Sequence, residues 1–298
     1  MTKYLESIRW LYIKIGVQIL NISEGSKSSS PPSYAPLTVK KALSILYVLA
    51  EEKEALGLAE LAKKLGLNRS TAYRLVLALT EGGFVKQDPA TQKYALGLKI
   101  VELAGDILNK MEIREVARPY LKRLMELSGE TAHLGILEKG QIVFIDKIDG
   151  PEVVRFFTHL GKRFPAYVTS IGKAILAYLP KEDLENVLKL QSFQAHTPNT
   201  IVNKQDFRDH LNLVRSKGYA IDHEENRLTV CCIGAPIFDA TGKAVAAISI
   251  SGPSFRLNIK RMKELSEPLK STALKISKNL GYQEEEISFK NKKGGKES

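Results

Sequence analysis

A single glycine constrains residues 58–79 more than any other feature of the chain. LAELAKKL (58–65) is apolar at helical spacing, and Gly66 follows it where a left-handed residue stops a helix. Asn68 then stands as an N-cap before RSTAYRLVLAL, in which Leu75, Leu79 and Ala72 or Ala78 can face a core. The turn between the two helices is only a few residues long. Small Ala62 lets them cross closely, and Leu61, Leu65, Leu67 and Leu75 can share one core. This spacing predicts a helix-turn-helix, whose second helix offers its N-terminal turn to the DNA major groove.

The flanking segments extend this reading. LTVKKALSILYVLAE (37–51) places Val39, Leu43, Leu46, Tyr47 and Ala50 on one helical face. Gly82-Gly83 ends the second helix. The runs 84–87 and 93–96 flank an Asp88-Pro89 turn and read as a hairpin, the wing of a winged helix-turn-helix. Arg69 is suited to guanine, while Ser70, Thr71, Tyr73 and Arg74 share its polar face. Lys40, Lys41, Lys63 and Lys64 are point charges for phosphates. The candidate DNA contacts are Lys40, Lys41, Asn68, Arg69, Ser70, Thr71, Tyr73, Arg74, Gln87 and Lys93. Residues 37–100 hold ten Lys and Arg against six Asp and Glu, so this module is only mildly basic.

The whole chain of 298 residues carries 44 Lys and Arg against 33 Asp and Glu, a net +11 that favours an anionic partner. Its length suggests two domains. Two adjacent cysteines, Cys231 and Cys232, exclude a disulfide framework and point to a reducing, cytoplasmic setting. Residues 1–22 form a charge-interrupted amphipathic segment whose longest uncharged run, Ile15 to Ser23, is too short to span a bilayer. Residues 23–36 hold six Ser and three Pro and read as a flexible linker, so 1–36 is expected to be an extension.

After a helical connector at 98–110, helical periodicity covers 112–128. Hairpin strands are expected at 131–137 and 141–149, with a third strand at 153–159. A helix over 170–179 precedes another from Lys181, then one over 204–217. Strands at 219–222, 231–238 and 244–251 precede a closing helix over 258–280. Hairpins dominate, so the sheet should be antiparallel with helices on one side, an α+β domain. The expected organisation is an extension (1–36), a winged helix-turn-helix domain (37–97), a linker helix (98–112), a sensor domain (113–282) and a disordered tail (283–298).

The span from Leu37 to Tyr282 resembles the IclR family of bacterial transcriptional regulators. The resemblance rests on TVKKALSILYVLAE, LAELAKKLGLNRSTAYRLVLALTEGGFV and KYALGLKIVELA in the first half. In the second half it rests on ARPYLKRLMELSGETAHLGILEKGQIVFIDKIDG, TSIGKAILAYLP, GYAIDHEEN and CIGAPIFDATGKAVAAISISGP. It implies a winged helix-turn-helix domain, a linker helix and an effector domain with a GAF-like or profilin-like antiparallel sheet and flanking helices. It also implies homodimers through the DNA-binding domains, often paired as dimers of dimers, that regulate double-stranded DNA operators as repressor or activator. A small organic or aromatic acid would occupy a cleft of the second domain. Carried onto this sequence, the pattern suggests Val153, Phe156, Phe164, Ser170, Ile171, Gly172, Asp222, Val230, Cys232, Ser249 and Ser251 as effector contacts.

Physical chemistry supports part of that list. Ser170, Ile171 and Gly172 open a helix whose free N–H groups favour a carboxylate. Ser249 and Ser251 are two apart on a strand and face one side, where buried hydroxyls need partners. No cofactor, metal or membrane partner is expected. The competing readings are a DNA-binding protein whose second domain only oligomerises, and a metal-dependent enzyme. The enzyme would draw on His133, His159, His196, His210 and His223 with Asp222, Glu224 and Glu225, yet none of these pairs has the spacing of a known metal motif. No nucleophile elbow or phosphate-binding glycine loop is present either.

Overall fold

The computed structural model describes residues 36–283. The N-terminal extension, apart from Pro36, and the C-terminal tail, apart from Gln283, lie outside them. The chain divides into two compact units between Ile107 and Leu108.

In the first unit, α1 (Leu37–Glu51), α2 (Leu58–Leu65) and α3 (Arg69–Glu81) precede a hairpin of β1 (Val85–Gln87) and β2 (Tyr94–Leu96). Gly66 adopts φ +62°, and the Leu67 N–H closes the turn on the Ala62 carbonyl at 2.9 Å. The Asn68 side chain accepts the Thr71 N–H at 2.7 Å. Ala62 and Ala72 are buried, as close crossing requires, whereas Ala78 is exposed. Leu61, Leu75 and Val76 pack with Ile45 and Leu49 of α1 and with Val85 and Tyr94 of the hairpin. The expected face of α1 is therefore corrected. Val39, Leu43 and Tyr47 are exposed, and Ile45 and Leu49 face the core. Helix α1 carries two apolar stripes, and periodicity alone does not say which one the neighbours cover. A helix α4 (Lys99–Asn109) runs across the boundary between the units, and Leu98, Val101, Leu103 and Ile107 are exposed.

The second unit starts with α5 (Glu112–Ser128). Its sheet consists of β3 (Thr131–Glu138), β4 (Gln141–Ile148), β5 (Arg163–Pro165), β6 (Ala220–His223), β7 (Val230–Phe238) and β8 (Ala244–Pro253). The order is β5-β4-β3-β8-β7-β6, with every pairing antiparallel. Helices α6 (Ser170–Leu176), α7 (Lys181–Lys189) and α8 (Lys204–Lys217) lie between β5 and β6, and α9 (Ile259–Asn279) closes the unit.

Helices cover both faces of this sheet, not one. Ile233, Ala235, Ile248 and Ile250 pack with Leu121 of α5 and Leu265 and Leu269 of α9. Ala247 packs on the other side with Ile171 and Ile175 of α6 and Phe207 of α8. The cause is visible in β7 and β8, which are buried at nearly every position, so each face needs its own cover. Two further expectations change. Residues 153–159 form no strand, because the chain leaves β4 at Ile148 and turns at Gly150-Pro151. The edge strand is instead Arg163–Pro165. Helix α6 stops at Leu176 and not at Leu179.

Candidate functional site

Two regions gather the candidate residues, one in each unit. In the first, Arg69, Ser70, Tyr73 and Arg74 are exposed on α3, and Thr71 is half-buried. Asn68 Oδ1 accepts both the Thr71 N–H and the Ser70 hydroxyl, at 2.7 and 2.9 Å. Asn68 and Ser70 therefore build the cap that fixes the N-terminal turn, and Arg69 projects exposed from that turn. Lys40 and Lys41 are half-buried near the start of α1. In the hairpin, Asp88 Oδ1 accepts the Ala90 and Thr91 N–H groups, both at 2.9 Å, and these bonds hold its carboxyl below the usual range. Gln87 donates to the Gln92 carbonyl and side chain at 3.1 and 3.0 Å, so its amide stiffens the tip, while Lys93 is exposed beside it.

In the second unit, nine of the eleven carried-over effector positions surround one cavity, whose roughly 330 Å³ of space includes part that is open to solvent. They are Phe156, Phe164, Ser170, Ile171, Asp222, Val230, Cys232, Ser249 and Ser251. The register explains this convergence. Asp222 of β6 sits opposite Cys232 of β7, which sits opposite Ser251 of β8. The three side chains form one row across the sheet. Ser249 lies two residues along β8 on the same face. The first turn of α6 supplies Ser170 and Ile171. It lies close over β7, where a Cβ on Gly234 would stand 2.9 Å from the Ser170 backbone carbon.

Two positions fall outside the wall. Val153 is 92% exposed, because the 150–162 connection is not a strand and turns Phe156 inward instead. Gly172 does not line the cavity. Its N–H is bound by the Thr169 hydroxyl at 3.0 Å, and a Cβ there would stand 2.1 Å from the Ala166 carbonyl oxygen. Gly172 is thus required for packing, and the seven-residue α6 has already committed that N–H.

Sequence reasoning missed Phe144, Thr169 and Asn226 in the wall. Phe144 was readable from its alternation in β4, whereas Thr169 and Asn226 belong to turns that carry no periodic signal. It also assigned no role to His133 beyond the metal alternative. His133 is fully buried opposite Ser249, its ring tilted against Phe144 at 4.7 Å and 6.1 Å from Phe156. Its Nε2 lies 2.9 Å from the Thr158 hydroxyl, and its Nδ1 is buried without a partner. Desolvation, helped by Lys147 and opposed by Asp149, lowers its pKa to about 3, so the ring is neutral.

The electrostatics of the cavity centre on Asp222. Burial is the main influence and pushes its carboxyl up to about 7, with Lys173 opposing and Glu225 adding to the rise. Lys173, wholly buried on α6, donates to Glu225 Oε1. Burial also raises both thiols, Cys231 to about 12 and Cys232 well above its ordinary value, and Cys232 shares a hydrogen bond with Ser251. Such thiols are inert apolar fillers. Among the described residues, no group of three His, Cys, Asp or Glu side chains is placed to hold a metal ion. No described helix is long and apolar enough to cross a membrane.

Comparison with known proteins finds matches for both units. Residues 38–89 match the IclR helix-turn-helix domain, and residues 105–278 match the bacterial transcriptional regulator IclR C-terminal family. The Escherichia coli K12 HTH-type transcriptional regulator KdgR is 35% identical over 245 residues, covering 82% of this chain and 93% of that protein. The HTH-type transcriptional repressor AllR of the same strain is 33% identical over 243 residues, covering 82% of this chain and 90% of that one. The crystal structure of the Thermotoga maritima IclR superposes with a TM-score of 0.71 at 36% identity, covering 82% of this chain and 99% of that one. With a winged reading head in one unit and a curled antiparallel sheet in the other, the chain belongs to the IclR family of DNA-binding transcriptional regulators.

Proposed function

We propose that this regulator changes its affinity for a double-stranded DNA operator when a small organic or aromatic acid occupies the cavity of its second unit. The observation that carries this reading is the cavity itself. Three phenylalanines, Phe144, Phe156 and Phe164, face a polar set of Thr169, Ser170, Asn226, Ser249 and Ser251, an arrangement suited to a small ligand with an apolar body and a polar end. Arg69 reads bases, and Thr71, Tyr73 and Arg74 work beside it. Lys40, Lys41, Gln87 and Lys93 meet the backbone. Asn68 and Ser70 hold the turn that aims them.

The protein works as a cytoplasmic homodimer, itself paired into a dimer of dimers. The exposed residues Leu37, Val39, Leu43 and Tyr47 of α1, with Leu98, Val101 and Ile107 at α4, support association through the first unit. Two recognition helices must then match half-sites about 34 Å apart, and the effector acts by biasing that spacing.

The test is fluorescence anisotropy of the full chain on DNA from upstream of its own gene, against scrambled DNA, across a salt series and with a pool of small carboxylic acids. Selective binding that the pool shifts is expected. Equal, salt-sensitive binding to both DNAs refutes operator recognition at that site. Selective binding that no acid shifts refutes control by those acids and favours a second unit that only oligomerises.

A further inference from the structure

The cavity wall has an unusual charge inventory for a site that takes an acid. Among the described residues lining it, Asp222 and Cys232 are the ionisable ones, and burial keeps the Cys232 thiol protonated. No Lys, Arg or His belongs to the wall. The nearest ammonium, on Lys173, is bound to Glu225 Oε1, and Glu225 Oε2 is buried with no partner. That cluster thus holds two carboxyl groups, Asp222 and Glu225, against one ammonium. His210 of α8, which faces Lys173, adds no positive charge at neutral pH, since desolvation lowers its pKa to about 4. Cys231, on the neighbouring position of β7, is likewise held neutral.

Asp222 is 2% exposed. Its Oδ1 accepts the Glu225 and Asn226 N–H groups at 2.8 and 3.4 Å, which leaves Oδ2 for a ligand. An incoming carboxylate meets this carboxyl in a cavity whose own wall holds no cation, and the Lys173 ammonium behind it is already paired with Glu225. If Asp222 is ionised, two like charges share a desolvated site, which is strongly unfavourable. If Asp222 is protonated, its O–H donates to the ligand carboxylate, and the clash becomes a charge-assisted hydrogen bond.

We infer that the cavity binds a small carboxylate together with one proton from solvent, carried on Asp222, so that the regulator reads its acid and the local pH as a single signal. The inference rests on the proposed acid effector and adds to it the residue that sets the ligand's charge. The native carboxyl is already poised for this, because burial pushes it up to about 7 before any anion arrives. Lys173 and the two backbone N–H groups hold it lower than burial alone would, and Glu225 works with burial.

The experiment is titration calorimetry of the full chain with benzoate, phenylacetate and butyrate, each beside its amide, at pH 6 and pH 8. Phosphate and Tris are compared at pH 8 to count protons. An acid that binds should do so about tenfold more weakly at pH 8 than at pH 6, with close to one proton taken up at pH 8. In Asp222→Asn the side chain keeps the acceptor for Glu225 and offers an N–H to the ligand, so the tenfold pH difference and the proton uptake should both vanish. If that variant does not fold, the wild-type proton count still decides. Acid binding that is equally tight at both pH values with no proton uptake overturns the inference. So does binding of the amides alone; if those amides also shift operator affinity, effector control survives with a neutral ligand. Silence from every acid and amide at both pH values overturns the inference and the acid reading together.

Discussion

Lys173→Met isolates the electrostatics beneath the cavity. The lysine is wholly buried and Glu225 is 6% exposed, so solvent does little to screen their ion pair. Methionine keeps most of the aliphatic stem and its packing but removes the ammonium. What remains is a buried Glu225 carboxylate, one of whose oxygens already lacks a partner, beside Asp222. Breaking a buried pair from one side costs about 3–5 kcal/mol, because the surviving charge keeps its desolvation penalty. A Glu225→Gln change in the same background removes that charge and should restore most of the loss. Hydrogen exchange of the α6 amides in the full chain reads the cost as faster local opening, without requiring a two-state melt of a two-unit protein. The Arg208–Glu185 pair, half-buried but reached by solvent, supplies the contrast. It has better bidentate geometry, at 2.9 and 2.8 Å, yet Arg208→Met should leave exchange in α8 close to wild type. A Lys173→Met protein whose α6 amides exchange as slowly as wild type, or a double variant no better than the single, would refute the argument.

Three further outcomes follow from the same geometry. Arg69→Ala should weaken operator binding by about 1–3 kcal/mol while leaving scrambled-DNA binding nearly unchanged, measured by anisotropy; equal losses on both DNAs would make Arg69 a phosphate contact. His133 is neutral when folded but takes a proton when unfolded, so its contribution is intact above pH 6.5 and is lost as pH falls toward about 3. His133→Gln should therefore flatten the acid limb of a urea-unfolding series between pH 6 and pH 4 by about 1.4 kcal/mol per pH unit, and an unchanged slope would mean the ring protonates in place. Cys231 and Cys232 should stay unreactive to a thiol reagent at pH 8 in the native protein and both react after denaturation; rapid native labelling would contradict their burial.

The parts of this molecule that local chemistry dictates were legible in its residues. Gly66 and Asn68 mark helix ends through a backbone angle and a side-chain cap, interactions complete within four residues. Asp88 marks the hairpin turn in the same way. Ser249 and Ser251 could be placed on one face because strand period is rigid, although the partners in that row, Asp222 and Cys232, came from family resemblance and not from spacing. What failed depended on distant neighbours. Choosing Ile45 over Leu43 as the inward face of α1 requires knowing where α3 and the hairpin lie. Val153-Val154 followed by Arg155-Phe156-Phe157 looks like a strand by composition, but β4 finds its edge partner at 163–165. The helix cover on the second sheet face was likewise hidden, since its helices enter between β5 and β6 and the face they cover is set by tertiary packing rather than by their own period.

The connection from Gly150 to Lys162 puts Phe156 against the cavity; it meets β4 through its backbone at its end, where Gly161 and Lys162 hydrogen-bond with Phe144, and side chains tether the stretch before that. Arg256 donates to the Val154 carbonyl at 2.7 Å, Lys147 to the Thr158 carbonyl at 2.7 Å, and the Thr158 hydroxyl meets His133. Three side-chain anchors therefore hold one wall of the cavity, whereas the opposite wall is locked by strand registry. Mutational drift can rewrite the anchored wall residue by residue without disturbing the hydrogen-bonded ladder beside it. If the cavity takes the proposed effector, a fold divided in this way can exchange the signal it listens to while its reading head and its sheet stay as they are, and the 150–162 segment is where such a change of diet would be written.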